Sequence, residues 1–214
     1  MRNGTDTEID LLLLRHGATI GNQEQRYIGR TDEHLSELGI QQMRQQRIKL
    51  CELNRQQDFT QPEILFVSPM LRCRESASIL WGEREQIEIE EWREMDFGRY
   101  EGKNYLDLQS DSYYQNWIDS NGTLPFPGGE SQSEFIQRCF KGFIRMQRIL
   151  REQMKYQAAA VVHGGTIMAL MSLITGGSYY DYQVKNAGGY YLKLHYQEDD
   201  TQQKIHLDYA EEIL

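Results

Sequence analysis

The chain has 214 residues, enough for one generous domain or two tight ones, and a 39% hydrophobic share that supports a full core. Its net charge of −9 argues against nonspecific nucleic-acid binding and against an anionic membrane surface, although a few local arginines can still reverse the field for an anionic substrate. Three scattered cysteines (Cys51, Cys73, Cys139) argue against a disulfide framework, no apolar run reaches a membrane span of roughly 18 residues, and the polar start MRNGTDTEID does not read as a signal peptide, so a soluble cytoplasmic protein is expected.

Residues 1–8 read as a flexible tail, and 9–214 as a single domain. Ile9 to Leu14 is a nearly continuous apolar run, the pattern of a strand buried on both faces. A long polar loop follows. Ser36 can cap a helix to about Asn54, with Ile40, Met43, Ile48 and Cys51 along one side. EILFVS at 63–68 is a second buried strand, and Pro69 suits the first turn of a helix to about Trp81. IEIE at 87–90 alternates like an edge strand, and 91–103 reads as an irregular loop. A polar, aromatic helix is expected over 104–119, broken by NGTLPFPGGE. Ser131 and Glu134 form a capping box that opens a helix to about Tyr156. AAAVVHGG is a third buried strand, and TIMALMSLIT a helix stopped by Gly176 and Gly177. GYYLKLHY and KIHLDY read as late strands forming a hairpin.

Strands alternating with helices give an α/β fold with a mostly parallel sheet. Ligands of such sheets bind outside the carboxyl ends of the strands. LLLLRHG and AAVVHGG each place a histidine and a glycine at such an end, and ILFVSPMLR an arginine just past another. If these strands are neighbours, Arg15, His16, Arg72 and His163 converge. Guanidinium forks match phosphate oxygens, and backbone N–H groups at Gly164 and Gly165 open a helix that favours anions. A neutral imidazole can attack phosphorus, and positive surroundings keep it neutral. The leaving alkoxide needs a carboxylic acid, for which Glu90, Glu91, Glu94, Asp96 and Glu101 are all candidates.

LLRHGATIGN resembles the signature of the histidine phosphatase superfamily, the group that includes the cofactor-dependent phosphoglycerate mutases. RYIGRTDEHLSELGIQQ, SPMLRCRESA, EMDFGRYEG, PGGES and VVHGG resemble its further motifs in order, over about Leu11 to Gly165, with His34 where proline is common. The resemblance implies a phosphoglycerate-mutase-like three-layer α/β/α sandwich. It implies His16 as the phosphorylated nucleophile, Arg15, Arg72 and His163 holding the phosphoryl group, Asn22 and the Gly164 backbone N–H contacting it, and Glu94 as general acid. No metal or other cofactor is implied, nor an oligomeric state.

The mutase branch usually sets a basic residue beside the acid. Here the loop reads Glu94-Met95-Asp96-Phe97-Gly98, and 103–130 carries one cation, Lys103, against Asp107, Asp111, Asp119 and Glu130. Hydrolysis of a small phosphorylated metabolite is therefore expected, with mutase-type phosphoryl transfer or non-catalytic binding of a phosphate ligand as alternatives. The stretch NWIDSNGTLPFPGGES looks somewhat like the α-ribazole-phosphate phosphatases. Tyr105, Tyr113, Tyr114, Trp117 and Phe126 are expected to pack a small helical cap at about 103–130, and Tyr113, Trp117 or Phe126 to be the ones that could touch a substrate. Arg26 and Thr19 are candidate pocket residues, Arg74 a surface ion pair, and His34, His195 and His206 structural.

Overall fold

The computed structural model describes residues 7–53, 60–199 and 202–213. Six strands form one sheet in the order β3-β2-β4-β1-β5-β6: β1 (Thr7–Arg15), β2 (Ile64–Val67), β3 (Ile87–Glu88), β4 (Gln157–Val162), β5 (Gly189–Asp199) and β6 (Gln202–Ile213). β3, β2, β4 and β1 run parallel, whereas β5 is antiparallel to β1 and β6 to β5. The sheet is thus mixed, with a parallel half that carries the crossovers and a late hairpin on its other side.

Period-two alternation divides the apolar residues of the central strands between two cores. Leu11, Leu13, Ile64, Phe66, Ala158, Ala160 and Val162 face one, and Leu12, Leu14, Leu65, Val67, Ala159 and Val161 the other. The first core is closed by α6 (Gln132–Glu152) and α7 (Gly164–Thr175), the second by α2 (Glu37–Leu53) and α3 (Leu71–Trp81). A sheet buried on both faces, with helices on each, is the expected three-layer α/β/α sandwich.

Several boundaries differ from the sequence reading. β1 starts at Thr7, because Thr7 and Glu8 already pair with Tyr196 and His195 of β5; residues 1–6 of the expected tail lie outside the described residues, as does Asn54. On α2 the buried stripe runs through Met43 and Leu50, while Ile48 (60% exposed) and Cys51 face solvent. Pro69 stands before the N-cap Met70 rather than inside α3. The single helix expected over 104–119 is two, α4 (Tyr105–Leu108) and α5 (Ser112–Asp119), because the Asp111 carboxylate accepts the backbone N–H groups of Tyr113 and Tyr114 and starts a new helix. α6 stops at Glu152, and Met154 takes φ +52° on the way into β4. The loop 91–103 holds 3-10 turns at Glu90–Trp92 and Gly98–Tyr100, and Trp92 is fully buried.

In the segment after Gly102, Tyr114, Trp117 and Phe126 pack with Tyr27, Phe97 and Tyr100, with centroid separations of 4.8 Å for Trp117–Phe126 and 5.0 Å for Tyr27–Phe97 and Phe97–Phe126. Arg26 ties this segment to the early loop by donating to the Gly102 carbonyl and pairing with Glu24 and Asp107. Tyr105 is half-exposed and meets the cluster at Tyr114. Arg74 pairs with Glu88, His34 with Glu75 and His195 with Asp208.

Candidate active site

The register of β1 and β4 sets Arg15 opposite Val162. His16 and His163 therefore lie one step beyond the carboxyl ends of adjacent parallel strands, and the His16 N–H donates to the Val162 carbonyl at 3.0 Å. The two imidazoles stand 5.2 Å apart between centroids with their planes at 69°. His16 Nδ1 lies 2.7 Å from the Gly17 carbonyl. A carbonyl only accepts, so the proton sits on Nδ1 and the Nε2 lone pair is available. His163 is the N-cap of α7, and its Nε2 pairs with Ser68 Oγ at 2.7 Å, at the end of β2.

Arg72 comes from the first turn of α3 and is 1% exposed. It donates to the carbonyls of Thr31, Ile28 and Gly29 at 2.9, 3.3 and 3.2 Å. Ser76 Oγ donates to the Arg72 carbonyl and accepts the Gly17 N–H, which couples the arginine-bearing helix to the loop after His16. Arg15 Nη1 donates to the Val184 carbonyl at 2.7 Å, while its buried Nε has no hydrogen-bond partner among the described residues. Its guanidinium lies beside Gly164, where a β-carbon would stand 3.4 Å from Cζ.

Glu94 stands across from this group. Its Oε1 accepts the Met95 N–H at 2.9 Å, and Arg138 of α6 grips the loop that carries it. Arg138 makes two 2.7 Å bonds to Glu130 and donates to the carbonyls of Glu91, Arg93 and Glu94 at 2.8, 2.9 and 3.2 Å. Glu94 is partly exposed through the cavity it lines, yet protein surrounds its carboxyl closely enough that desolvation raises its pKa above the ordinary carboxylate value. Burial holds His16 well below the usual imidazole range, reinforced by Arg72 and Arg15; His163 is lowered by burial, Arg72, His16 and Arg15. Burial also pushes the Cys73 thiol up to about 12, which removes it as a nucleophile near neutral pH.

A cavity of about 300 Å³ opens onto this group. Arg15, Glu94 and Gly164 line it; His16, His163 and Arg72 are buried and do not. The structure thus brings Arg15, His16, Arg72, Glu94, His163 and Gly164 together. Asn22 sits in the capping box of the short helix α1 (Ile20–Gln23), with Oδ1 accepting from Thr19 N and from Asn186 Nδ2. Asn186 Nδ2 also reaches the His16 carbonyl at 3.1 Å, so Asn22 is tied to the histidine loop through Asn186. Thr19 is fully buried as the α1 cap, and Arg26 is taken by the ion pairs described above. Of the aromatics expected to touch a substrate, Trp117 and Phe126 line the cavity and Tyr113 does not; sequence reasoning passed over Tyr27, Phe97, Tyr179 and Tyr180 of that lining, and Ser68, Arg138 and Asn186. Ser68 opens the motif SPMLRCRESA and could have been found there; nothing local marks the other two side chains. Among the described residues no group of three or more His, Cys, Asp or Glu side chains is placed to hold a metal ion, and no helix is long and apolar enough to cross a membrane.

Comparison with known proteins agrees with this geometry. The chain is 32% identical over 176 residues to a protein of Hydrogenobacter thermophilus named as a phosphoserine phosphatase, covering 78% of each chain. It is 30% identical over 175 residues to a protein of Methylorubrum extorquens named 2,3-bisphosphoglycerate-dependent phosphoglycerate mutase, covering 78% of this chain and 79% of the other. Its fold matches the crystal structure of the alpha-ribazole phosphatase from Shigella flexneri with a TM-score of 0.70, at 22% identity, over 93% and 95% of the two chains. The family model of the histidine phosphatase superfamily (branch 1) matches residues 11–206, and the chain belongs to that family.

Proposed function

We propose that the protein hydrolyses a phosphomonoester of a small metabolite through a phosphohistidine on His16. The observation that carries this reading is the pair of buried imidazoles 5.2 Å apart, with Nε2 of His16 unprotonated and two arginines beside them. In the first step the Nε2 lone pair forms a bond to phosphorus as the P–O bond to the alcohol breaks. The departing oxygen takes the proton of Glu94, whose raised pKa keeps that proton available. Arg15, Arg72, one ring N–H of His163 and the Gly164 backbone N–H, the first of α7, hold the non-bridging oxygens as charge builds on them. Asn22 adds a side-chain amide from the loop. In the second step water attacks phosphorus, Glu94 accepts its proton, the P–N bond breaks and inorganic phosphate leaves.

The alternative of phosphoryl transfer between hydroxyls needs a second anion site for a bisphosphate intermediate. Arg15 is the one cation lining the cavity among the described residues, which favours water as the acceptor. A non-catalytic binder is disfavoured because nucleophile, acid and arginines are all present. The segment at about 103–130 acts as a cap over a single catalytic domain. The free thiols of Cys51, Cys73 and Cys139 fit the cytoplasm. Phosphate release from p-nitrophenyl phosphate in the presence of a chelator tests the reading: turnover is expected, and either no turnover or a strict need for a divalent ion overturns it.

A further inference from the structure

We infer that this site selects phosphomonoesters whose alcohol part carries an uncharged aromatic ring, and rejects those bearing a carboxylate next to the phosphate. The inference rests on the phosphatase reading and adds the class of leaving group. Beyond the reacting end, the cavity wall is aromatic: Tyr27, Phe97, Trp117 and Phe126 on the cap side, Tyr179 and Tyr180 on the side of α7. Among the described residues that line it, Arg15 and Glu94 are the charged ones. Both are committed to the chemistry, Arg15 to phosphate and Glu94 to the proton. A substrate carboxylate would therefore enter a partly enclosed site with no counter-cation, facing the Glu94 side chain. Burying an unpaired anion there is costly.

Three arginines near the cap are occupied elsewhere. Arg138 is held bidentately by Glu130, Arg30 pairs with Asp96 at 3.1 Å, and Arg26 pairs with Glu24 and Asp107. Lys103 lies 5.9 Å from the centre of the Tyr100 ring, on a residue that does not line the cavity. The wall stays neutral as well: desolvation raises the pKa values of Tyr27, Tyr179 and Tyr180, so none becomes a phenolate near neutral pH.

The aromatic wall is fixed before any ligand arrives. Phe126 packs edge-on to Phe97 (5.0 Å, 90°) and tilted on Trp117 (4.8 Å, 35°), and Tyr27 is tied to Tyr114 through their hydroxyls at 2.8 Å. Such rings offer flat apolar area with little ordering cost. The polar groups among them are neutral. Gln132 and Gln183 line the cavity, and the Trp117 indole N–H is buried without a hydrogen-bond partner among the described residues. This combination fits a ring with a neutral acceptor, such as an ether, hydroxyl or ring nitrogen.

Four alkyl phosphates with similar leaving oxygens test the idea: ethyl phosphate, 2-phenylethyl phosphate, phosphoserine and 3-phosphoglycerate. The expected kcat/KM for 2-phenylethyl phosphate exceeds that for ethyl phosphate by about tenfold or more, and both carboxylated esters fall below ethyl phosphate. Trp117→Ala should cut the 2-phenylethyl to ethyl ratio at least about fivefold. Gln132→Lys, which sets a cation at the cavity wall, should raise the 3-phosphoglycerate to ethyl ratio about tenfold. If phosphoserine or 3-phosphoglycerate matches 2-phenylethyl phosphate, the inference fails while the phosphatase reading stands. If neither these four esters nor p-nitrophenyl phosphate releases phosphate, the phosphatase reading fails. In that case calorimetry decides the pocket: 2-phenylethylphosphonate should bind more tightly than 3-phosphonopropionate, and the opposite order overturns the inference.

Discussion

A β-carbon placed on Gly165 would stand 2.5 Å from Oε1 of Glu94 and 3.1 Å from the Phe135 ring. The second glycine after His163 is therefore what allows Glu94, the proposed acid, to approach the opening turn of α7. Gly165→Ala should push the flexible carboxyl aside and leave the fold nearly intact. The expected result is a loss of about 10- to 100-fold in kcat with little change in Tm, since small displacements of a reacting group cost that much. A variant with full kcat would show that Glu94 acts from another position.

Rapid mixing of the unaltered protein with p-nitrophenyl phosphate should give covalently bound phosphate, and His16→Ala should abolish it and lower kcat/KM by at least about a thousandfold. Labelling with phosphorus-32, quenched in alkaline detergent, reads the adduct, and loss of the label on later acid treatment reads its P–N bond. Retention of label in the variant would move the nucleophile elsewhere.

With Glu94 as the proposed proton donor, the rate takes its pH dependence from this residue. Its folded pKa is raised, so the donating form is lost as pH climbs through that raised value, and kcat/KM for alkyl phosphates should fall on the alkaline side. His16 is neutral well below its ordinary pKa and does not limit the rate near pH 6.5. Glu94→Gln should remove the alkaline limb. It should cost about 100-fold or more on alkyl esters and much less on p-nitrophenyl phosphate, whose phenolate leaves unaided.

The same two histidines shape stability. Both have folded pKa values below that of the unfolded chain, about 6.5 for histidine. Below that pH the unfolded chain gains protons that the folded one refuses, so their contribution falls as pH drops from about 6.5. Glu94 acts in the opposite sense: its raised folded pKa favours the folded state as pH falls from that value toward the unfolded one. Tm followed from pH 8 to pH 5 should decline, and His16→Ala should decline less steeply. Parallel curves would remove His16 from this balance.

Arg138→Lys keeps a charge but loses the fork that holds Glu130 and three loop carbonyls at once. The expected effect is a fall in kcat of about tenfold with KM little changed, and a shifted alkaline limb, because the acid loop loosens while the phosphate contacts stay. An unchanged pH profile would make Arg138 purely a structural clamp.

Much of this arrangement could be read along the chain, because the residues involved sit at places the local pattern marks. Leu11–Leu14 and Ala158–Val162 announce buried strands, and His16 and His163 follow them directly. Arg72 is one turn past a third strand. Glu94 was different: it stands among Glu90, Glu91, Asp96 and Glu101, and only the motif around Phe97-Gly98 separated it from them. Ile48 misled, because an isoleucine near the end of a long helix looks like core when the stripe that is buried runs through Met43 and Leu50. Arg138 and Asn186 were invisible for a physical reason. Their partners are loop carbonyls and amides far away in sequence, and no periodicity or spacing encodes such bonds.

β1 is flanked by β4 and β5, and the Asn186 amide reaches the His16 carbonyl across 170 positions. During synthesis, Leu11–Leu14 leaves the ribosome long before either flanking strand exists. Such nonlocal pairing is slow to form, and the greasy segment stays open to wrong partners while it waits. Catalytic competence thus arrives late, only once the stretch beyond Gly188 has emerged, and nascent fragments that stop earlier should rely on chaperones rather than on any fold of their own.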